Sequence, residues 1–160
     1  MSESADLAGW FAKSVPEGWF TEPPEVTADG DEILVVGRLA TSDGGGDPGE
    51  AIAGFRETSR EGRMRIAAEA ERRFGRKVAW GAEAGGVRRI FTALSIPVMT
   101  RLRMPERLVL DTLVEAGVAR SRSDALAWCV RLVGRHQADW IQELRDALVR
   151  VGEVRRKGPV

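Results

Sequence analysis

One cysteine, one histidine and no tyrosine occur in the 160 residues. The lone cysteine, Cys129, excludes an intrachain disulfide. Cys129 and His136 together fall short of the ligands a Cys/His zinc site needs, so no metal is expected. Catalysis by a Ser-His-Asp or Cys-His arrangement would rest on His136 alone. This inventory argues against an enzyme, and neither catalytic residues nor a cofactor are assigned. No apolar run approaches the length of about 18 residues that a membrane helix needs. The acidic start, MSESADLAGWF, lacks a basic stretch before an apolar run, so no secretory signal is read. A cytoplasmic protein without a membrane partner is expected.

Lysine is scarce too: Lys13, Lys77 and Lys157 are the only ones, and arginine carries nearly all the positive charge. The formal net charge of zero hides a polarised chain. Residues 1–50 hold two basic and eleven acidic side chains, whereas residues 51–160 hold 22 basic and 13 acidic ones. Such polarity suits a polyanion-binding face with an acidic remainder, and equally a chain that uses arginine as its solvated cation. A hydrophobic share of 43% is enough for a core. The length allows one ordinary domain, or a small domain with an oligomerisation module.

A short amphipathic helix over residues 6–14 presents Leu7, Trp10 and Phe11, and Pro16-Glu17-Gly18 ends it. Trp10, Phe11, Trp19 and Phe20 are expected to cover one side of a core. Glu25 to Ala28 and Asp31 to Leu39 flank Asp29-Gly30, a dipeptide suited to a positive-φ hairpin turn. Ile33-Leu34-Val35-Val36 is apolar on both parities and reads as a central strand. Residues 41–49 form an acidic, glycine-rich loop. It lacks the Gly-Lys-Ser/Thr ending of a phosphate loop, and Asp43 and Asp47 would repel phosphate. Asp47, Pro48 and Glu50 have the pattern of a helix start. A helix is expected from there to Phe74, with Gly62 as its divider and Gly75 as its end. Its arginines, Arg63 among them, alternate with glutamates as a solvated face would. Strands are expected at Lys77–Ala82 and, after Gly85-Gly86, at 87–94. Residues 1–95 thus read as a small α+β domain that senses a ligand or contacts a protein.

Residues 97–134 carry more information. Val98, Thr100, Leu102 and Met104 alternate with Met99, Arg101 and Arg103. A helix from about Pro105 to Ala116 ends at Gly117, and Ser121 caps a second helix with Asp124 three residues on. A strand of about six residues is not stable alone. A second copy of the chain can pair with it about a two-fold axis. The resulting two-stranded ribbon, with Arg101 and Arg103 outward, fits the major groove of B-DNA, where arginine makes bidentate contacts to guanine. The N-terminus of the second helix, with Arg120 and Arg122 beside it, suits phosphate.

The segment resembles the ribbon-helix-helix family of DNA-binding proteins, the group that includes the Arc, MetJ and CopG regulators. GVARSRSDAL at Gly117–Leu126 carries the strongest match and the alternating strand the second. Residues 96–135 are read as this unit, and residues 136–160 as an amphipathic helix with a basic tail. The resemblance implies a homodimer that binds double-stranded DNA, with Met99, Arg101 and Arg103 at bases and Arg120, Ser121, Arg122 and Ser123 at phosphates. It departs from the family in its Pro105–Ser121 spacing, in Ala127 and Trp128 on the second helix, and in the long preceding segment. Trp128 is expected to be buried, with Leu144 and Leu148 as the nearest covers. The expectation is a sequence-specific transcriptional regulator of class α+β, with a small-molecule effector or protein partner at its N-terminal domain. The alternative is a dimeric interaction protein, antitoxin-like or associated with ribosome or polymerase, that uses the same fold as a scaffold.

Overall fold

The computed structural model describes residues 3–40, 46–92 and 94–158, with side chains from Asp6 onward. The first part of the glycine-rich loop, residues 41–45, lies outside the described residues. The fold is mixed α+β and divides into two compact units, Met1–Val98 and Met99–Val160.

The first unit is a four-stranded sheet under three helices. Its elements are α1 (Glu3–Ser14), β1 (Glu25–Ala28), β2 (Glu32–Arg38), α2 (Pro48–Thr58), α3 (Arg60–Phe74), β3 (Lys77–Ala84) and β4 (Val87–Ile90). The strand order is β1-β2-β3-β4. The outer pairs are antiparallel, while β2 and β3 run parallel because α2 and α3 carry the chain across between them. β2 is the central strand its sequence predicts. Ile33 and Val35 register with Val78 and Trp80 and share one face of the sheet. Leu7 and Phe11 of α1 and Ile66 and Ala70 of α3 close over that face, with Trp10 and Trp19 packed against it. Farther along the same parity, Leu39, Ala82 and Ala84 receive Ile52 of α2 together with Phe20 and Phe55. The aromatics near the N-terminus therefore cover the core as expected. The opposite face carries ion pairs, Arg38 with Glu22 at 2.9 Å and Arg88 with Glu25 at 2.8 Å.

Three local expectations are corrected. The 29–32 turn does not use a positive φ at Gly30. Instead the Asp29 carboxylate accepts from the backbone N–H groups of Asp31 (2.9 Å) and Glu32 (2.8 Å), so a side chain supplies the turn. Those two bonds hold the Asp29 carboxyl below its ordinary value. The helix after Asp47 divides at Ser59 and not at Gly62. Gly62 instead receives Trp19, whose ring would lie 2.7 Å from an added Cβ. Arg63 is buried and not on a solvated face. Its Nε donates to Ser59 Oγ at 2.9 Å, its Nη2 donates to the Arg56 carbonyl at 2.7 Å, and its guanidinium lies 4.9 Å over the Phe91 ring.

The second unit contains α4 (Met104–Glu115), α5 (Arg122–His136) and α6 (Ala138–Lys157). Residues 94–103, which lead into α4, have no regular secondary structure, so the strand expected from Val98 to Met104 is not seen, and Met104 instead begins α4. Among the described residues, no helix is long and apolar enough to cross a membrane.

Candidate nucleic-acid interface

The turn between α4 and α5 is built from sequence-local devices. Gly117 adopts φ +75°, which a residue with a Cβ avoids. With it, Gly117 N–H donates to the Val114 carbonyl at 3.0 Å and Val118 N–H to the Leu113 carbonyl at 2.9 Å, a Schellman closure of α4. Ser121 then caps α5, its Oγ accepting from Asp124 N–H at 3.2 Å. Asp124 answers by accepting from the Arg120 N–H at 3.0 Å. The N–H groups of Arg122 and Ser123 sit in the first turn of α5, where no intrahelical acceptor exists.

Behind this turn the core is small. Leu110, Ala119 and Ala125 are its buried residues, and Leu102, Leu113, Val114, Leu126 and Cys129 pack partly against them. Leu102 thus anchors the segment before α4 from its inward parity. Arg103 has extended backbone, φ −80° and ψ 172°, and stands at the N-cap of α4. Arg107 Nη1 donates to the Leu102 carbonyl at 2.7 Å and ties this segment to the helix. Sequence reasoning missed Arg107; its only signal is a position four residues past Arg103. Val98 and Met99 are 86% and 96% exposed.

The predicted site residues fall into two groups. Met99, Arg101 and Arg103 are all exposed, and neither arginine is paired with a carboxylate among the described residues. Arg120, Ser121, Arg122 and Ser123 are brought together at the start of α5 and are also exposed. Here the two cations differ. Arg120 projects into solvent with a long 3.8 Å approach to Asp124. Arg122 is engaged: its Nε and Nη2 reach the two Asp111 oxygens at 2.6 and 2.7 Å. That hydrogen bonding draws the Asp111 carboxyl below its usual range and raises the Arg122 guanidinium further. No sequence signal marked Asp111, because the pair is joined across a turn and not along a helix face.

Trp128 is half-buried, short of the burial expected. Leu144 and Leu148, the expected covers, remain 45% and 67% exposed. Cys129 is half-buried on the inner side of α5, and His136 is exposed at its end. Among its described residues the first unit has a cleft of about 610 Å³ lined by Gly49, Ile52, Gly54, Arg56, Arg89 and Phe91, and another of about 530 Å³ at Ala28, Asp29, Phe74 and Arg76. Among the described residues, no three His, Cys, Asp or Glu side chains gather as a metal ion requires.

Two family models match this chain. That of the Rv1265-like protein N-terminal domain covers residues 5–90, and that of the Mb1296 C-terminal domain covers residues 103–155. The chain is 49% identical over 162 aligned residues to the uncharacterised protein Rv1265 of Mycobacterium tuberculosis H37Rv. The same identity holds against the uncharacterised protein Mb1296 of Mycobacterium bovis; each alignment spans 98% of this chain and 72% of the relative. No solved structure matches the chain.

Proposed function

We propose that this chain, which belongs to the family of the mycobacterial proteins Rv1265 and Mb1296, is a dimeric, sequence-specific DNA-binding protein that regulates transcription. The observation that carries the reading is the contrast between Leu102 and the arginines on either side of it. Leu102 faces the helix pair, while Arg101 and Arg103 point away from it without carboxylate partners among the described residues. A guanidinium left free beside a second one is suited to guanine edges in the major groove. The small core of the α4–α5 pair adds to this. Three fully buried residues make a small core for such a unit, and pairing two copies through residues 98–103 would enlarge it. In that arrangement each α5 N-terminus, with Arg120 and the N–H groups of Arg122 and Ser123, approaches a phosphate. The larger cleft of the first unit is the candidate place for an effector.

The Arg122–Asp111 pair favours a second reading, in which the same two-copy fold is a scaffold for a protein partner. The two readings separate on DNA. Duplexes recovered by a genome-wide footprint of the tagged protein should bind the purified chain at least a hundred-fold more tightly than scrambled duplexes at physiological salt, since specific binding generally exceeds nonspecific by about 10³ or more. Equal affinity for both would overturn the DNA reading.

A further inference from the structure

Helix α6 is 20 residues long and buries none of them. In proteins most helical stability comes from packing an amphipathic face. Five of its apolar residues form a line, with Ile141, Leu148 and Val149 off it. Trp140, Leu144, Ala147, Val151 and Val154 follow one another at spacings of four, three, four and three, the seam of a two-stranded coil. Trp140, Leu144, Val151 and Val154 are exposed. Along one flank of this seam a shallow groove is lined by Trp140, Glu143, Leu144, Asp146, Ala147 and Arg150.

We propose that α6 pairs antiparallel with α6 of a second copy of this chain. The proposal rests on the seam and its flanking charges, not on the DNA reading or on the pairing of residues 98–103. Antiparallel register places Trp140 against Val151 of the second copy and Leu144 against its Ala147, and the two-fold axis repeats both layers. A large residue meets a smaller one in each of these layers, which fills that part of the seam evenly, while Val154 falls opposite residue 137, just outside α6. One flank then sets Glu143 against Arg150 of the second copy, twice by symmetry. The other flank sets Ile141 against Leu148, an apolar contact. Parallel register does the opposite. It stacks Trp140 on Trp140 and Ala147 on Ala147, and it brings Arg150 against Arg155, a like-charge pair. Volume and charge therefore choose the same orientation.

The test is sedimentation velocity of the full chain over a concentration series, at moderate salt, with four proteins: the native chain, Glu143→Arg, Arg150→Glu and the double exchange. Each single variant turns two attractions into two repulsions. Each should weaken self-association roughly tenfold, given that exposed ion pairs contribute only modestly. The double exchange restores attraction with the signs reversed and should return the dissociation constant to within about twofold. That restoration also excludes misfolding as the cause of the single effects. The weakened step appears as loss of a larger assembly if α6 joins two dimers, and as a weaker dimer if it lies within one; both support the pairing. Arg150→Glu strengthening association would mean a parallel pair, with the introduced carboxylate facing Arg155, and would overturn the proposal. So would a double exchange that fails to restore, or four proteins that sediment alike.

Discussion

Arg122 at the start of α5 reaches across the turn to Asp111 of α4 with two contacts of 2.6 and 2.7 Å. The pair braces the small helix-helix unit, and it also occupies a cation at the start of α5. If α5 grips DNA, Asp111 competes with the backbone phosphate for one guanidinium.

Asp111→Asn should therefore tighten binding to specific and random duplexes alike, by a few-fold at low salt. Arg122→Ala should weaken both alike and reduce the slope of log affinity against log salt by about one unit. The pair also has a signature without DNA. The Asp111 carboxyl is depressed in the folded chain, so its contribution is present at neutral pH and is lost as pH falls below about 4, through the folded value. In Asp111→Asn that part of the acid sensitivity should vanish. Urea titrations at neutral and acid pH check this, and an unchanged acid slope would show the pair to be idle.

Arg101→Ala and Arg103→Ala should behave differently from Arg122→Ala. Each should lose discrimination between cognate and scrambled duplex by about 1–3 kcal/mol, the worth of a bidentate base contact. Fluorescence anisotropy on the two duplexes measures it. A uniform loss on both duplexes would place these arginines at phosphates and remove base reading from the segment.

Leu102→Asp should abolish pairing through residues 98–103. Leu102 is the residue of that segment packed on Leu110, Ala119 and Ala125, and a carboxylate there would be buried without a partner. The measurement belongs in an Arg150→Glu background, where any α6 pairing is weakened. Sedimentation should then give a monomer at micromolar concentration. A persisting dimer would show that residues 98–103 do not join the copies.

The elements of the fold were legible where local chemistry dictates them. Asp47 with Pro48 starts α2, Gly75 and Gly117 end their helices with positive φ, and Ser121 with Asp124 caps α5. An apolar run on both parities made Ile33 to Val36 a central strand. What stayed hidden depends on contacts distant in sequence or on competing local signals. Asp29-Gly30 carries the signature of a glycine turn, but the Asp29 side chain bonds first. Gly62 resembles a helix divider, yet it is small because Trp19 lies against it. Arg63 sits in a row of alternating charges that reads as a solvated face, and only the approach of Phe91 across the sheet edge makes its site interior. At the candidate interface the exposure of Arg101 and Arg103 was readable, whereas the roles of Asp111 and Arg107 were not, because each acts across a turn.

Gly37→Ala should destabilise the first unit. Gly37 lies under the Phe20 ring, and an added Cβ would stand 2.1 Å from its atoms. Phe20 cannot simply swing away, since the tilted Phe55 ring lies 5.3 Å from it and the Trp19 ring meets it edge-on at 6.3 Å. Overpacking of this kind costs about 1–3 kcal/mol. In a cycle with Phe20→Ala, the Gly37→Ala penalty should largely disappear. Equal penalties in both backgrounds would mean that the backbone, not the ring, resists the methyl group.

Arg63 offers the sharpest test of the first unit, because a buried guanidinium with no carboxylate partner among the described residues has to be held by neutral acceptors. Burial lowers its pKa, and repulsion from Arg56 and Arg60 lowers it further, yet a guanidinium starts so high that it stays charged. Its Nε donates to Ser59 Oγ, and Ser59 Oγ donates in turn to the Phe55 carbonyl at 2.5 Å. With the Nη2 bond to the Arg56 carbonyl, these contacts bridge the break where α2 hands over to α3. Ser59→Ala should remove one acceptor and cost about 1.5–3 kcal/mol, the range for a hydrogen bond to a charged group. Arg63→Ala should cost more, because it also uncovers the Phe91 ring. The double variant should cost less than the sum, since either change alone breaks the same bond. Urea unfolding of the four proteins gives the coupling energy. A coupling near zero would show that Ser59 does not hold the guanidinium, and that the break between α2 and α3 is set by Trp19 packing on Gly62 instead.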